Sequence, residues 1–146
     1  MTIQGFGAAN VQDILDLQTD FSIALPKEYI SFLQTYNGGI VEKNDRNKVF
    51  VRDLSSTISV DVLYGLKTES SASDIRTWMD KFQDELVNGA IIIGDDLMHG
   101  LIVMICDGED SGIYYWDDSY QFEESSDEEN TYWIADNFQS FIQQLL

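Results

Sequence analysis

The side chains able to do chemistry are one histidine, one cysteine and a surplus of carboxylates. His99 stands in DDLMHG, just after Asp95 and Asp96. Beside two acids it could act as a general base or a metal ligand. No second histidine exists to complete a His-pair metal site, and a polar turn between two strands accounts for His99 as a solvated residue. Cys106 follows by seven positions and closes the apolar run GLIVMIC, so a buried thiol is expected rather than a nucleophile served by His99. A single cysteine also excludes an internal disulfide framework and a thiolate metal cluster. The acids come in adjacent pairs: Asp95 with Asp96, Asp117 with Asp118, Glu123 with Glu124, Glu128 with Glu129. Glycosidase or nuclease chemistry needs two or three carboxylates converging in a cleft. Neighbours along a strand point to opposite sides, so these pairs read as solvated or partner-facing acids, not as catalytic ones. The segment DGEDSG from Asp107 has a calcium-loop rhythm, with acids at positions one and three, Ser at five, Gly at six and Asp118 at twelve. Glu at position three, a short Asp at twelve and strand-like flanks make it a hairpin tip instead. Neither a P-loop nor GxGxxG occurs. The expectation is a chain with no catalytic residue, no metal and no cofactor.

The charge pattern points elsewhere. Formal net charge is −18. Residues 1–90 hold all eight Lys and Arg with 13 Asp and Glu, while residues 91–146 hold the other 13 acids and no Lys or Arg. Such a field repels nucleic acid and anionic lipid, and it speeds encounter with a cationic protein. Acidic surface also simply confers solubility, and for the overall charge the two readings stand level. The concentration of acid in the C-terminal part favours a partner. No secretory signal is visible in MTIQGFGAAN, and the apolar runs fall short of a membrane span, so the cytosol is the expected compartment.

The elements that must position these residues follow from periodicity. With 44% hydrophobic residues, 146 residues suffice for one domain with its own core, residues 1–146. Residues 10–21 read as a helix capped by Asn10, with Asp13 in a capping-box-like position and a stripe of Val11, Ile14, Leu17 and Phe21. In LPKEYISFLQTYNGG, Pro26 suits the first helical position. Leu25, Tyr29, Phe32, Leu33 and Tyr36 form its buried stripe, and Gly38 and Gly39 stop it. After a polar loop at residues 42–48, KVFVRD and TISVDVLYGL alternate like strands. SDIRTWMDKFQDEL reads as an inserted helix, capped by Ser73, with Ile75, Trp78, Met79, Phe82 and Leu86 inward and Asn88-Gly89 at its end. Strands are expected at 90–94, 101–106 and 113–117, an acidic loop at 119–130, and a final helix burying Ile134, Phe138, Phe141, Ile142 and Leu145. The class is α+β: a mostly antiparallel sheet flanked by N-terminal, inserted and C-terminal helices.

Three blocks of the chain resemble one known family. The Leu-Pro helix ending in Asn-Gly-Gly resembles the signature of the SUKH superfamily, which groups bacterial immunity proteins of polymorphic toxin systems with fungal regulators of cell-wall synthesis. NVQDILDLQTDFSIALP resembles its first helix and linker, IIIGDDLMHGLIVMICDGEDSGIYYWDDS its central strands, and IADNFQSFIQQLL its C-terminal helix. The resemblance implies a compact sheet flanked by helices and a non-catalytic binding role. The first expectation is an immunity protein that binds and blocks a cognate toxin domain, in many such systems a nuclease with a basic active-site surface. The alternative is a regulatory interaction module of the cell-wall type. The family motifs carry no contact residues across, so these come from charge and alternation. On strand 113–117, Ile113, Tyr115 and Asp117 face one way and Tyr114 and Trp116 the other. The candidate contacts for a cationic partner are Asp95, Asp96, Glu109, Asp110, Asp117, Asp118, Glu123, Glu124, Asp127, Glu128 and Glu129, with Trp116 and Tyr120 as aromatic anchors.

Overall fold

The computed structural model describes residues 2–145, and among them it places four α-helices and eight strands. Helix α1 (Val11–Phe21) begins where Asn10 accepts a hydrogen bond from the Gln12 amide at 2.7 Å. Asp13 does not close a capping box; it turns to Lys67 Nζ at 3.0 Å. Ile14 and Leu17 are buried, whereas Val11 is exposed because the first helical turn overhangs the core. Helix α2 (Lys27–Thr35) starts after Pro26, which sits at the cap in an extended conformation. Its stripe of Tyr29, Phe32 and Leu33, with Leu25 before it, is buried. Tyr36 falls past the last helical turn and is exposed. The reversal is made by Asn37 (φ 53°) and Gly38 (φ 75°). At Gly38 a Cβ would stand 2.3 Å from the Leu63 carbonyl oxygen, so no larger residue fits.

The sheet runs β1 (Ile3–Gly5), β2 (Gly39–Val41), β4 (Ser56–Leu63), β5 (Ala90–Asp96), β6 (Leu101–Ile105), β7 (Gly112–Trp116) and β8 (Thr131–Ala135) in spatial order, each pair antiparallel. Strand β3 (Lys48–Val51) pairs with the first half of β4 and curls over to lie near β8. An antiparallel sheet flanked by helices is the α+β domain that the patterning implies. Three strands escape the sequence pattern. β1 and β2 are too short to show alternation. β8 is hidden because Ile134 lies four residues before Phe138 and so continues a helical spacing. Ile134 belongs to β8, and Asn137 caps α4 (Phe138–Gln144) by accepting from the Ser140 amide at 2.8 Å.

Helix α3 (Ile75–Phe82) is capped by Asp74, which accepts from the Arg76 amide, rather than by Ser73. It ends at Phe82, ahead of Asn88-Gly89, in a single 3-10 turn (Gln83–Glu85). Its outer rings form a row. Tyr64 stacks on Trp78 (5.4 Å), Trp78 on Phe82 (6.2 Å), and Phe82 meets Trp116 edge-on (5.2 Å). Such pairs each add about 0.5–1.5 kcal/mol beyond area burial. The row ties the inserted helix to the far end of β7. On β7 the alternation holds: Ile113, Tyr115 and the following Asp117 are buried, and Tyr114 and Trp116 stand half-buried on the face that α3 approaches.

Candidate protein-binding surface

The acidic loop between β7 and β8 is held from inside by a carboxylate. Asp117 is 0% exposed. It accepts from the Gln121 amide (2.9 Å), the Phe122 amide (3.0 Å) and Ser125 Oγ (2.5 Å). The Asp117 amide donates to the Asn130 carbonyl at 2.8 Å, closing the base of the loop. Phe122 packs edge-on against Tyr115, and Ser125 Oγ lies 2.9 Å from Tyr132 Oη. Further out, Ser126 Oγ accepts from the amides of Glu128 and Glu129. Pinned at these points, the loop turns Glu123, Glu124, Asp127, Glu128 and Glu129 into solvent. Asp117→Ala is expected to lower stability by about 2 kcal/mol, because hydrogen bonds to a charged group contribute about 1.5–3 each and the loop can open locally to limit the loss. Hydrogen exchange should show faster exchange at Gln121 and Phe122, with the β5 and β6 amides unchanged.

Two grooves meet at this loop. The first, of about 480 Å³, is floored by Val103, Ile105, Tyr114 and Trp116 of the sheet. Glu85, Val87, Tyr120 and Asp127 complete its rim. The second, of about 500 Å³, is ringed by Asp53, Glu124, Glu128 and Glu129. Asn130 and Thr131 line both, so the grooves adjoin where the loop enters β8. Val87 and Tyr120 are exposed large hydrophobic residues on the rim of the first groove. Apolar centre and charged rim together make the composition of a protein interface.

The structure brings Trp116, Tyr120, Glu124, Asp127, Glu128 and Glu129 onto these grooves, with Glu123 on the same loop. It removes others. Asp117 serves the loop, as above. Asp96 is 1% exposed and accepts from the Gly100 amide (2.8 Å) and Tyr115 Oη (3.1 Å), fixing the turn between β5 and β6. Neither can touch a partner. Asp95 is half-buried and accepts from the Val62 amide (3.1 Å) and Tyr64 Oη (2.7 Å). Asp118 is half-buried with its Oδ1 enclosed. Glu109 and Asp110 are exposed at the β6–β7 hairpin tip, about 13 Å along β7 from Trp116 at about 3.4 Å per residue. Sequence reasoning missed Glu85 and Asp53, which arrive from distant turns. Tyr114 carried a signal, since alternation puts it beside Trp116.

His99 is an exposed turn residue with φ 67°, and Cys106 lies past the other end of β6, half-buried rather than buried. Burial pushes the Cys106 thiol up to about 12, with Asp107 adding to the rise. That leaves it protonated and weakly nucleophilic. Among the described residues no group of three or more His, Cys, Asp or Glu is placed to hold a metal ion. No described helix is long and apolar enough to cross a membrane.

The half-buried acids make stability depend on pH. Burial pushes the Asp95 carboxyl up to about 6; the hydrogen bonds from Tyr64 and Val62 oppose this, and the charges of Asp61 and Asp96 add to it. Burial also raises Asp96 and Asp118. Between about pH 4 and 6 the folded protein therefore binds more protons than the unfolded chain, so stability falls as pH rises through that window. For Asp95 two pH units correspond to about 3 kcal/mol, and solvent contact reduces this to about 1–2. Thermal melts should give a higher Tm at pH 5 than at pH 7.5. Asp95→Asn should stabilise the protein at pH 7.5 and flatten the profile. A Tm that climbs steadily from pH 5 to 7.5 would contradict this.

The model of the SMI1 / KNR4 family (SUKH-1) matches residues 8–144. No curated protein matches the chain.

Proposed function

The chain belongs to the SMI1 / KNR4 family (SUKH-1), and on that premise we propose that it is a non-catalytic module that captures a basic protein on the two adjoining grooves. The partner we propose is a toxin domain that the chain neutralises by covering a cationic active-site surface, stoichiometrically and without chemistry. The observation that carries this reading is the pairing of an aromatic-floored groove with an adjoining acid-ringed one, both lined by Asn130 and Thr131. Exposed carboxylates steer a cationic partner to these grooves before contact. Trp116 and Tyr120 then supply the desolvated anchors on which affinity depends.

The test is a pull-down at low salt from the source organism's lysate, with the retained proteins identified by mass spectrometry. The expected result is one stoichiometric basic protein whose expression alone arrests growth and whose co-expression with this chain restores it. Its association rate should fall steeply between 20 and 300 mM salt, the range over which the screening length shrinks from about 20 Å to about 6 Å. Retention of wall-synthesis proteins without any growth-arresting partner would replace this reading with a regulatory one.

A further inference from the structure

Four half-buried aromatic rings lie under the chain's own cations. Arg52 lies over Trp133 at 4.8 Å, Arg76 over Phe21 at 5.7 Å, and Lys81 over both Trp78 (5.5 Å) and Phe82 (5.1 Å). The rings of Tyr114, Trp116 and Tyr120 have no such cover among the described residues. These are the rings of the 480 Å³ groove.

The carboxylates of that groove are free as well. Neither Glu85 nor Asp127 forms an ion pair among the described residues. The Tyr120 hydroxyl donates to Asp127 Oδ1, which fixes the carboxylate beside the groove and leaves Oδ2 open. That bond is the main cause holding the Tyr120 hydroxyl above its ordinary range.

We infer that this groove receives an arginine side chain of the partner, its guanidinium lying on the Trp116 ring between the carboxylates of Glu85 and Asp127. Arginine fits better than lysine. Its planar, weakly hydrated head stacks on an aromatic face while its N–H groups remain in plane to reach carboxylates on either side. Lysine offers a compact, strongly hydrated charge that gains less from a ring and gives up more water. The inference rests on the proposed capture of a basic protein and adds the residue type that anchors it.

The groove can be probed without the partner. The three tryptophans give three indole N–H signals, assigned with Trp116→Phe, and the probe is acetyl-Gly-Arg-Gly-amide with its lysine and citrulline counterparts. The arginine peptide should shift the Trp116 signal saturably and leave those of Trp78 and Trp133 in place. The lysine peptide should bind about 3-fold more weakly, and neutral citrulline should not saturate, since a cation–π contact contributes about 0.5–2 kcal/mol. Glu85 and Asp127 are exposed, so E85Q/D127N should fold normally and bind the arginine peptide about 5-fold more weakly or worse. A silent Trp116 signal, equal binding of citrulline, or a double variant that binds like the wild type would each overturn the inference. Arginine binding here without any basic protein retained from lysate would sink the capture reading and leave the groove's preference standing. A retained basic protein with a silent groove would do the reverse.

Discussion

Asn37→Ala should destabilise the protein by about 3–5 kcal/mol, because it orphans two buried backbone groups at about 1–3 kcal/mol each and forces alanine into a left-handed conformation. Asn37 is buried. Its side-chain amide donates to the Leu66 carbonyl at 2.9 Å, and its side-chain carbonyl accepts from the Leu66 amide at 2.8 Å. The bracket clamps the end of α2 to the chain leaving β4. Nothing bulky can intrude there, since a Cβ on Gly65 would stand 2.0 Å from the Asn37 carbonyl oxygen. The same segment holds α3: the Gly65 amide donates to the Ser73 carbonyl at 3.0 Å, and its carbonyl accepts from the Ile75 amide at 2.9 Å. Because α3 leads to Glu85 and the groove wall, loosening this junction should loosen the binding face. For a chain of this length the loss corresponds to a drop in Tm of about 10 °C. Asn37→Gly keeps the backbone conformation (φ 53°) and removes only the bracket. It should therefore retain most of the loss, short of the about 1–2 kcal/mol of left-handed strain. Equal stability of Asn37→Gly and wild type would show that the bracket contributes nothing.

The triple reversal E124K/E128K/E129K should slow capture of the basic partner by about 10–100-fold at low salt, the range that steering covers. All three residues are exposed and ring the second groove. Each reversal changes the charge by two, so the net charge moves from −18 to −12. The fold should be unharmed or slightly stabilised, because self-repulsion falls. The control is D107K/E109K/D110K at the β6–β7 hairpin, also exposed and also giving −12. Its carboxylates stand at the far end of β7 from Trp116, more than a Debye length of about 8–10 Å away. Among the described residues only the Asp110 carbonyl reaches the groove floor, through the Tyr114 hydroxyl, so the control should be the weaker of the two at physiological salt, within about 3-fold. If both triples slow capture equally, net charge and not this face governs the encounter. Stopped-flow association at two salt concentrations separates the cases.

How far the sequence reaches depends on how local the determining physics is. The α2 stripe is legible because four apolar residues at helical spacing leave no other surface to bury. Its last member, Tyr36, is misread because the helix ends at Thr35 and the left-handed reversal begins at Asn37, ahead of the glycines. On β7, alternation places Asp117 with Ile113 and Tyr115, and that face is the core. Charge draws the same residue onto the surface. Alternation is the better guide, since a carboxylate that accepts from residues four, five and eight places ahead stays buried at little cost. Asp96 follows the same rule through Gly100. The grooves themselves are illegible. Glu85 and Asp53 meet the acidic loop only because α3 packs on Trp116 and because β3 curls toward β8, and neither event leaves a local pattern. Only the part of the site contained in residues 114–129 lies close enough together in sequence to be seen beforehand.

The most direct test of the account is hydrogen–deuterium exchange of the chain alone and in complex with the basic protein it retains. Protection should appear at residues 85–90 and 116–132, the two segments that line the adjoining grooves, and the outer surfaces of α1, α2 and α4 should exchange as in the free chain. Protection confined to those helices, with residues 116–132 unchanged, would contradict it.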